Sequence, residues 1–156
     1  MRDPDGDGSS EPSLRVAFVC VENAGRSQMA AALAERERER RGLSRSVGVL
    51  DGGTEPAASV HDVVVRAMAE LDVDLSGEKP REISREELRS ADVVVTMGCS
   101  ANDVCPATWR GDARDWGLDD PAGGSLDEVR EIRDAIVARV RALFDELEAQ
   151  LEGQVA

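Results

Sequence analysis

The sequence predicts an α/β protein in which a parallel β-sheet carries helices on both faces. Short valine-rich runs alternate along the chain with longer segments that have apolar residues at helical spacing. The clearest are the β-branched run at 91–97 and the long apolar stripe at 126–151. Because parallel strands end at one rim of the sheet, we expect the residues after each strand to gather there.

The predicted elements alternate in order. Strands are expected at about 14–19, 46–50, 91–97 and 113–116, and helices at about 26–41, 57–71, 85–89 and 126–151. Asp51-Gly52-Gly53 is predicted to be a turn after the second strand. Residues 1–13 are rich in Asp, Gly, Ser and Pro and are predicted to be a disordered acidic lead to a single domain at 14–152.

Three local signals refine the helices. Gly42 should end the first helix, and Ser84 with Glu87 should form a capping box on the short third one. The charged run 35–41 should be a solvated face in which Glu37 pairs with Arg41.

The net charge of −13 limits the partners of this protein. Such a field repels nucleic acid and anionic membranes, so neither is expected as a partner. The acidic residues spread along the whole chain, which favours adaptation to a salt-rich, halophilic cytoplasm over a dedicated acidic tail. No run approaches the ~18 apolar residues of a membrane span, and the acidic N-terminus resembles no signal peptide. A cytoplasmic monomer is therefore expected.

The segment 20–27, CVENAGRS, carries the strongest chemical signal. Cys20 stands where the first strand ends, and Arg26 stands where the first helix begins. The unpaired N–H groups of a helix N-terminus and the loop before it can surround a tetrahedral oxyanion. The same field and the arginine should favour the thiolate form of Cys20. The segment is therefore predicted to be an oxyanion cradle with a nucleophilic sulfur at its floor.

The other two cysteines, Cys99 and Cys105, follow the third strand. Three cysteines without a secretion signal argue against a disulfide framework and leave room for redox thiols. Each could instead be an inert thiol, as could any single cysteine after a strand. No Cys-x2-Cys spacing is present and His61 is the only histidine, so no metal site is predicted; His61 is expected to be a structural residue of the second helix.

Three separated motifs together resemble the low-molecular-weight tyrosine phosphatase family, and most closely its arsenate reductase branch. They are CVENAGRSQMA at 20–30, VVVTMGCSANDVC at 93–105 and WGLDDPAG at 116–123, and the resemblance covers about 14–150. It implies a flavodoxin-like three-layer fold with four parallel strands in the order 2-1-3-4. It also implies that the chain is an enzyme that converts arsenate to arsenite.

The resemblance assigns roles residue by residue. Cys20 would be the nucleophile, Arg26 the oxyanion clamp, Asp120 the general acid, and Cys99 and Cys105 the redox relay. The oxyanion would be bound by the cradle, Val21, Glu22, Asn23, Ala24, Gly25, Arg26 and Ser27. Within it, Ser27 would hold the thiolate and Asn23 would brace the loop. Asp119 competes with its neighbour Asp120 for the role of acid.

The sequence is also compatible with other functions. A low-molecular-weight phosphatase would hydrolyse a phosphocysteine, but Pro121 is followed by Ala-Gly-Gly and the chain has no tyrosine to stack on a phenyl ring. A non-enzymatic arsenite or oxyanion sensor would leave the cradle unexplained. No bound cofactor is expected; the external reductant would be a thioredoxin- or glutaredoxin-type protein or a small thiol such as mycothiol. The potassium site of some relatives is not expected, because Ala31 stands where they have Glu.

Overall fold

The computed structural model describes residues 12–98, 109 and 111–155. Four parallel strands form one sheet in the order β2-β1-β3-β4, and they are β1 Leu14–Cys20, β2 Val47–Gly53, β3 Val93–Met97 and β4 Asp112–Asp115. The helices are α1 Arg26–Arg40, α2 Asp62–Ala69, α3 Arg85–Ser90 and α4 Leu126–Val155. The predicted flavodoxin-like fold and its strand order are confirmed.

The sheet separates two apolar clusters because successive side chains of a strand point to opposite faces. Phe18 of β1 lies in the larger cluster, with apolar residues of α1, α2 and α4. Ala17 and Val19 face the other way and join a smaller cluster with Leu88 of α3. Both faces of β1 are therefore buried, which explains why β1 and its neighbour β3 are mostly apolar, with Arg15 and Thr96 as the polar exceptions.

The predicted turn at 51–53 is wrong, because these residues form the last part of β2. Asp51, Gly52 and Gly53 pair in register with the end of β1. The two glycines are needed for close packing. A Cβ on Gly52 would lie 2.6 Å from the Cβ of Ile83, and one on Gly53 would lie 2.5 Å from a cradle carbonyl oxygen. In the sequence, a glycine pair that permits close approach has the same appearance as one that forms a turn.

The second helix is shorter than predicted and begins at Asp62, with His61 as its N-cap residue rather than inside it. The segment before it is held in another way. The N–H groups of Thr54, Glu55, Ala57 and His61 all donate to carbonyl oxygens of the segment 20–24. These bonds take the place of helical ones and tie the β2–α2 connection to the cradle.

The charged end of α1 behaves differently from the predicted solvated face. The pairing of Glu37 with Arg41 is confirmed, at 2.6 Å. Glu37 itself is buried, however, because Arg40 and Arg41 both bind it and Arg41 also reaches Asp145 and Glu148 of α4. Its pKa is lowered: burial opposes the charged form, and the hydrogen bonds from the two arginines outweigh that effect. The run is partly an interhelical clamp.

Other local predictions hold. Gly42 adopts φ +71° after α1, and Ser84 forms the full capping box with Glu87. The stripe of α4 is buried at Val129, Ile136, Phe144 and other positions along its length. The predicted lead falls outside the described residues up to 11. Among the residues described, no helix combines the length and apolar character needed to cross a membrane.

Candidate active site

The loop between β1 and α1 turns its carbonyl groups toward the chain that follows β2. The oxygens of Cys20, Val21, Glu22 and Ala24 accept hydrogen bonds of 2.8–3.2 Å from backbone N–H groups of residues 54–61. In a trans peptide the N–H points away from the C=O of the same unit. The N–H groups of residues 21, 22, 23 and 25 therefore point to the opposite side of the loop.

Cys20 lies on that side and is 2% exposed. The N–H of Asn23 donates to its sulfur at 3.2 Å, and the Ser27 hydroxyl lies 2.9 Å from it. The loop thus surrounds the thiol with inward N–H groups and leads directly into the N-terminus of α1. Such an arrangement stabilises a negative charge, whether on sulfur or on a bound oxyanion.

Asn23 holds the loop in shape from a fully buried position. Its φ of +52° is a left-handed conformation that asparagine tolerates better than most residues. Its side-chain nitrogen donates to Ser27 at 2.7 Å and to Asp51 at 2.9 Å, while its oxygen accepts from Gln28 and from the N–H of Arg81. The side chain therefore makes four hydrogen bonds and cannot rotate without losing several of them.

Arg26 places its guanidinium beside the loop that carries the predicted acid. One nitrogen donates to the carbonyl of Leu118 at 3.0 Å, and another lies 3.7 Å from the carboxylate of Asp120. Gly98, at φ +88°, lies directly beneath the guanidinium, since a Cβ there would be 2.8 Å from it. The arginine is 9% exposed and lies between the segments that follow β3 and β4.

The loop after β4 approaches the cradle through Pro121. This residue is buried, and a Cβ on Gly25 would lie 2.6 Å from its ring. Trp116 anchors the start of the loop, with its ring centroid 5.7 Å from that of Phe18 in the core. Asp120 accepts a hydrogen bond from the N–H of Ala122 and remains half-exposed at the mouth of the cradle.

The structure thus brings Cys20, Asn23, Arg26, Ser27 and Asp120 together at the carboxyl edge of the sheet. Asp119 lines the same open cavity as Asp120, but it is the Asp120 carboxylate that lies 3.7 Å from Arg26. The sequence-predicted Cys99 and Cys105 lie outside the described residues.

Two features near the mouth were not predicted. The Glu22 carboxylate lies 3.4 Å from the His61 imidazole, so this histidine faces the cradle. Gln28, Asp51 and Arg81 form an outer layer around Asn23. Gln28 could have been suspected from its place one residue after the cradle, whereas Asp51 and Arg81 are distant in sequence and gave no local signal.

The geometry suits attack by sulfur on a tetrahedral oxyanion. Inward N–H groups and a planar guanidinium can hold oxygens, a hydroxyl and an N–H can stabilise a thiolate, and a carboxyl group at the mouth can supply a proton. The site so described is common to hydrolysis and to reduction of an oxyanion.

Known proteins resemble this chain over almost its full length. The family model described as low molecular weight phosphotyrosine protein phosphatase matches residues 15–153. A Halobacterium salinarum protein named "Putative arsenate reductase" is 55% identical over 138 residues, 88% of this chain and 96% of that protein. Arsenate reductase 1 of Bacillus cereus is 39% identical over 84% of this chain and 94% of its own length.

A solved structure shares the fold as well. The Corynebacterium glutamicum thioredoxin-dependent arsenate reductase superposes with a TM-score of 0.73 and 35% identity, over 89% of this chain. This chain spans 64% of the length of that one. With the family match and the cradle geometry, these likenesses establish that the chain belongs to the low molecular weight phosphotyrosine protein phosphatase family.

Proposed function

We propose that this protein is an arsenate reductase, which converts arsenate to arsenite. Reaction at a tetrahedral oxyanion is supported by the loop 20–27, which turns N–H groups toward the Cys20 thiol and has Arg26 and Asp120 at its mouth. Reductase chemistry, rather than hydrolysis, is supported by relatives that are named arsenate reductases at 55% and 39% identity.

In the first step the Cys20 thiolate attacks arsenic and an oxygen leaves as water. Asp120 would supply the proton for that water, and Arg26 would hold two oxygens of the anion. The product of this step is an adduct with a sulfur–arsenic bond, still at the As(V) oxidation level.

In the second step a second thiol must attack the Cys20 sulfur. A disulfide forms, the sulfur–arsenic bond breaks, and its electron pair stays on arsenic, so As(V) becomes As(III) and arsenite is released. We assign this thiol to Cys99, with Cys105 then attacking Cys99 to free Cys20 and leave a Cys99–Cys105 disulfide. Both assignments rest on the sequence motif at 93–105.

An external reductant must then restore the thiols. A thioredoxin-type protein is our proposal for it, because one of the similar structures is a thioredoxin-dependent enzyme. A small thiol that attacks the arsenic adduct directly is the competing route. The two routes differ in whether Cys105 is needed.

The experiment compares arsenite release with hydrolysis of an aryl phosphate by the same preparation. We expect arsenite to form with arsenate and a thioredoxin system, at a rate far above that of phosphate release, and Cys20→Ser to abolish both. Cys105→Ser should lose turnover with thioredoxin if the relay operates. Vigorous aryl phosphate hydrolysis without any arsenite would overturn the proposal in favour of a phosphatase.

A further inference from the structure

Asn23 can act on Cys20 in only one of its two amide orientations. In the observed orientation its NH₂ group donates to the Ser27 oxygen, and the single hydroxyl hydrogen of Ser27 is left for the Cys20 sulfur 2.9 Å away. If the Asn23 amide were rotated to exchange its oxygen and nitrogen, the oxygen would face Ser27 and accept that hydrogen. The thiolate would then lose one of its hydrogen bonds.

Two groups outside the cradle fix the orientation. The Asp51 carboxylate lies 2.9 Å from the Asn23 nitrogen. When it is ionised it has no hydrogen to donate, so it can only accept a hydrogen bond. The backbone N–H of Arg81, 3.0 Å from the Asn23 oxygen, can only donate. Gln28 can turn its own amide to suit either orientation, and Ser27 can also donate or accept. Asp51 and Arg81 are therefore the two partners that determine the orientation of the Asn23 amide.

The fold places Asp51 rigidly for this task. It lies in β2, opposite Phe18 of β1, and its own carbonyl accepts a 2.6 Å hydrogen bond from the Arg81 guanidinium. The Arg81 segment is in turn bound to the end of β2, through hydrogen bonds that join Gly53 to Arg81 and to Ile83. Neither partner can move away from Asn23 without breaking strand contacts.

The surroundings of Asp51 make an ionised carboxylate costly there. Burial raises its pKa most, with further increases from Glu78 and Glu87, against the hydrogen bond from Asn23 and the charge of Arg81. Glu35, which lines the same small cavity, also has a raised pKa, from burial and from Asp51 and Glu78. A carboxylate in this setting is poorly explained by stability alone.

We propose that Asp51 is a positioning residue for the nucleophile: it locks the Asn23 amide so that Ser27 donates to the Cys20 sulfur. Asp51 acts through two residues and does not contact the oxyanion itself. The proposal rests on the nucleophilic role of Cys20 in the proposed function. It holds for reduction and for hydrolysis alike.

The test measures Cys20 reactivity without any substrate. In a Cys99→Ser/Cys105→Ser background only Cys20 can be alkylated, and iodoacetamide labelling is followed by mass spectrometry across pH. With Asp51→Asn, which no longer enforces the amide orientation, we expect alkylation below its half-maximal pH to slow by about tenfold, equal to a shift of about one pH unit. Asp74→Asn is the matched control, because Asp74 lines the same cavity and binds Ser76 instead; it should leave the profile unchanged.

A thermodynamic cycle separates positioning from a general structural effect. In a Ser27→Ala background the path from Asp51 to the sulfur is cut, so adding Asp51→Asn should produce no further shift. An unshifted profile for Asp51→Asn, or an equal shift with and without Ser27, would overturn the proposal. Asp51→Ser, measured in the same way, replaces Asp51→Asn if that variant does not fold.

Steady-state kinetics with arsenate provides a second readout. Asp51→Asn should lower kcat by a similar factor and change KM less, because Arg26 and the loop N–H groups still bind the anion. A failure of arsenate turnover in the parent enzyme would contradict the proposed function, whereas the alkylation profile would still decide the role of Asp51.

Discussion

Gly25 is the residue at which the cradle and the acid-bearing loop touch. A Cβ there would lie 2.6 Å from the Pro121 ring and 3.6 Å from the His61 imidazole. Pro121 adjoins Asp120, whose carboxylate lies 3.7 Å from Arg26. The absence of a side chain at position 25 therefore lets the acid reach the mouth of the cradle.

We predict that Gly25→Ala displaces the loop 118–121 and lowers turnover by about 10²-fold, the cost of moving a catalytic group by roughly 1 Å. The free energy of unfolding should fall by only about 1–3 kcal/mol, as for other overpacked sites. Gly77→Ala is the matched control, because in the described structure no heavy atom beyond Gly77 and its two chain neighbours lies within 4 Å of its Cβ position. Turnover of Gly25→Ala equal to that of Gly77→Ala would refute this account of the loop.

The sequence predicts the site residues that lie in one contiguous motif. It does not predict those that the fold brings in from distant positions. Cys20, Asn23, Arg26 and Ser27 fall in one motif, so their spacing alone indicated an oxyanion loop. Asp51 reaches Asn23 across 28 positions of sequence. Nothing near it distinguishes it from a turn aspartate, and only strand pairing reveals its contact.

Among the elements, the C-terminal end of α2 is tied to α4 by ion pairs. Glu70, at its C-terminal end, binds Arg130 at 3.0 Å and Arg133 at 2.7 Å, both from α4. Arg133 is 9% exposed at its side chain and also donates to the carbonyl of Ala67. These contacts hold the end of α2 against α4, while its other end adjoins His61 and the cradle.

The pKa of Glu70 is lowered to about 2 by hydrogen bonds from Arg130 and Arg133. A group with a lowered folded pKa stabilises the protein above its ordinary pKa of about 4.5 and loses that effect as the pH falls toward 2. We predict that Glu70→Gln lowers the Tm by a few degrees at pH 7 and that the difference from wild type disappears near pH 2.

The control for Glu70 is Asp62→Asn, which removes an exposed ion pair within α2 itself, to Arg66 at 3.2 Å. An exposed pair of this kind contributes little, so its Tm should stay close to that of wild type. If the Tm of Glu70→Gln lies below that of wild type by the same amount at pH 2 as at pH 7, the carboxylate charge does not hold the two helices together.

The type of each element could be predicted where the hydrophobic periodicity was strong. The prediction failed where backbone contacts between distant segments determine the conformation. The apolar stripe of α4 correctly predicted a helix, and the apolar run of β3 correctly predicted a strand. The first part of the predicted second helix, 57–61, instead supplies N–H groups to the cradle carbonyls. Its sequence has no feature that reports those distant acceptors.

For the whole molecule, the dominant feature is the net charge of −13. Many acidic residues are paired with arginine, as at Arg41 and Arg114, each of which binds carboxylates on two elements. The oppositely charged groups of these ion pairs attract each other at short range. The unpaired carboxylates repel one another over longer distances across the surface. Salt shortens the second effect more than the first.

We predict that the Tm rises when KCl is increased from about 10 mM to about 1 M, since the screening length falls from roughly 30 Å to roughly 3 Å. The likeness to a Halobacterium protein accords with this expectation. Glycine betaine at equal osmolality is the control, because it adds no screening ions. Equal melting temperatures at the two KCl concentrations would refute the interpretation of the acidic surface.

In the proposed function, the Cys20 cradle begins a reduction and not a hydrolysis. Single turnover tests it most directly: excess reduced enzyme is mixed with arsenate without external reductant, quenched in acid, and analysed for arsenite and for the state of each cysteine by mass spectrometry.

We predict one arsenite for each arsenate consumed, a disulfide between Cys99 and Cys105, and free Cys20. Cys20→Ser should release no arsenite. Three free thiols and no arsenite, with turnover only after a small thiol is added, would contradict the intramolecular relay. Absence of arsenite under every reductant, together with rapid aryl phosphate hydrolysis, would contradict arsenate reduction altogether.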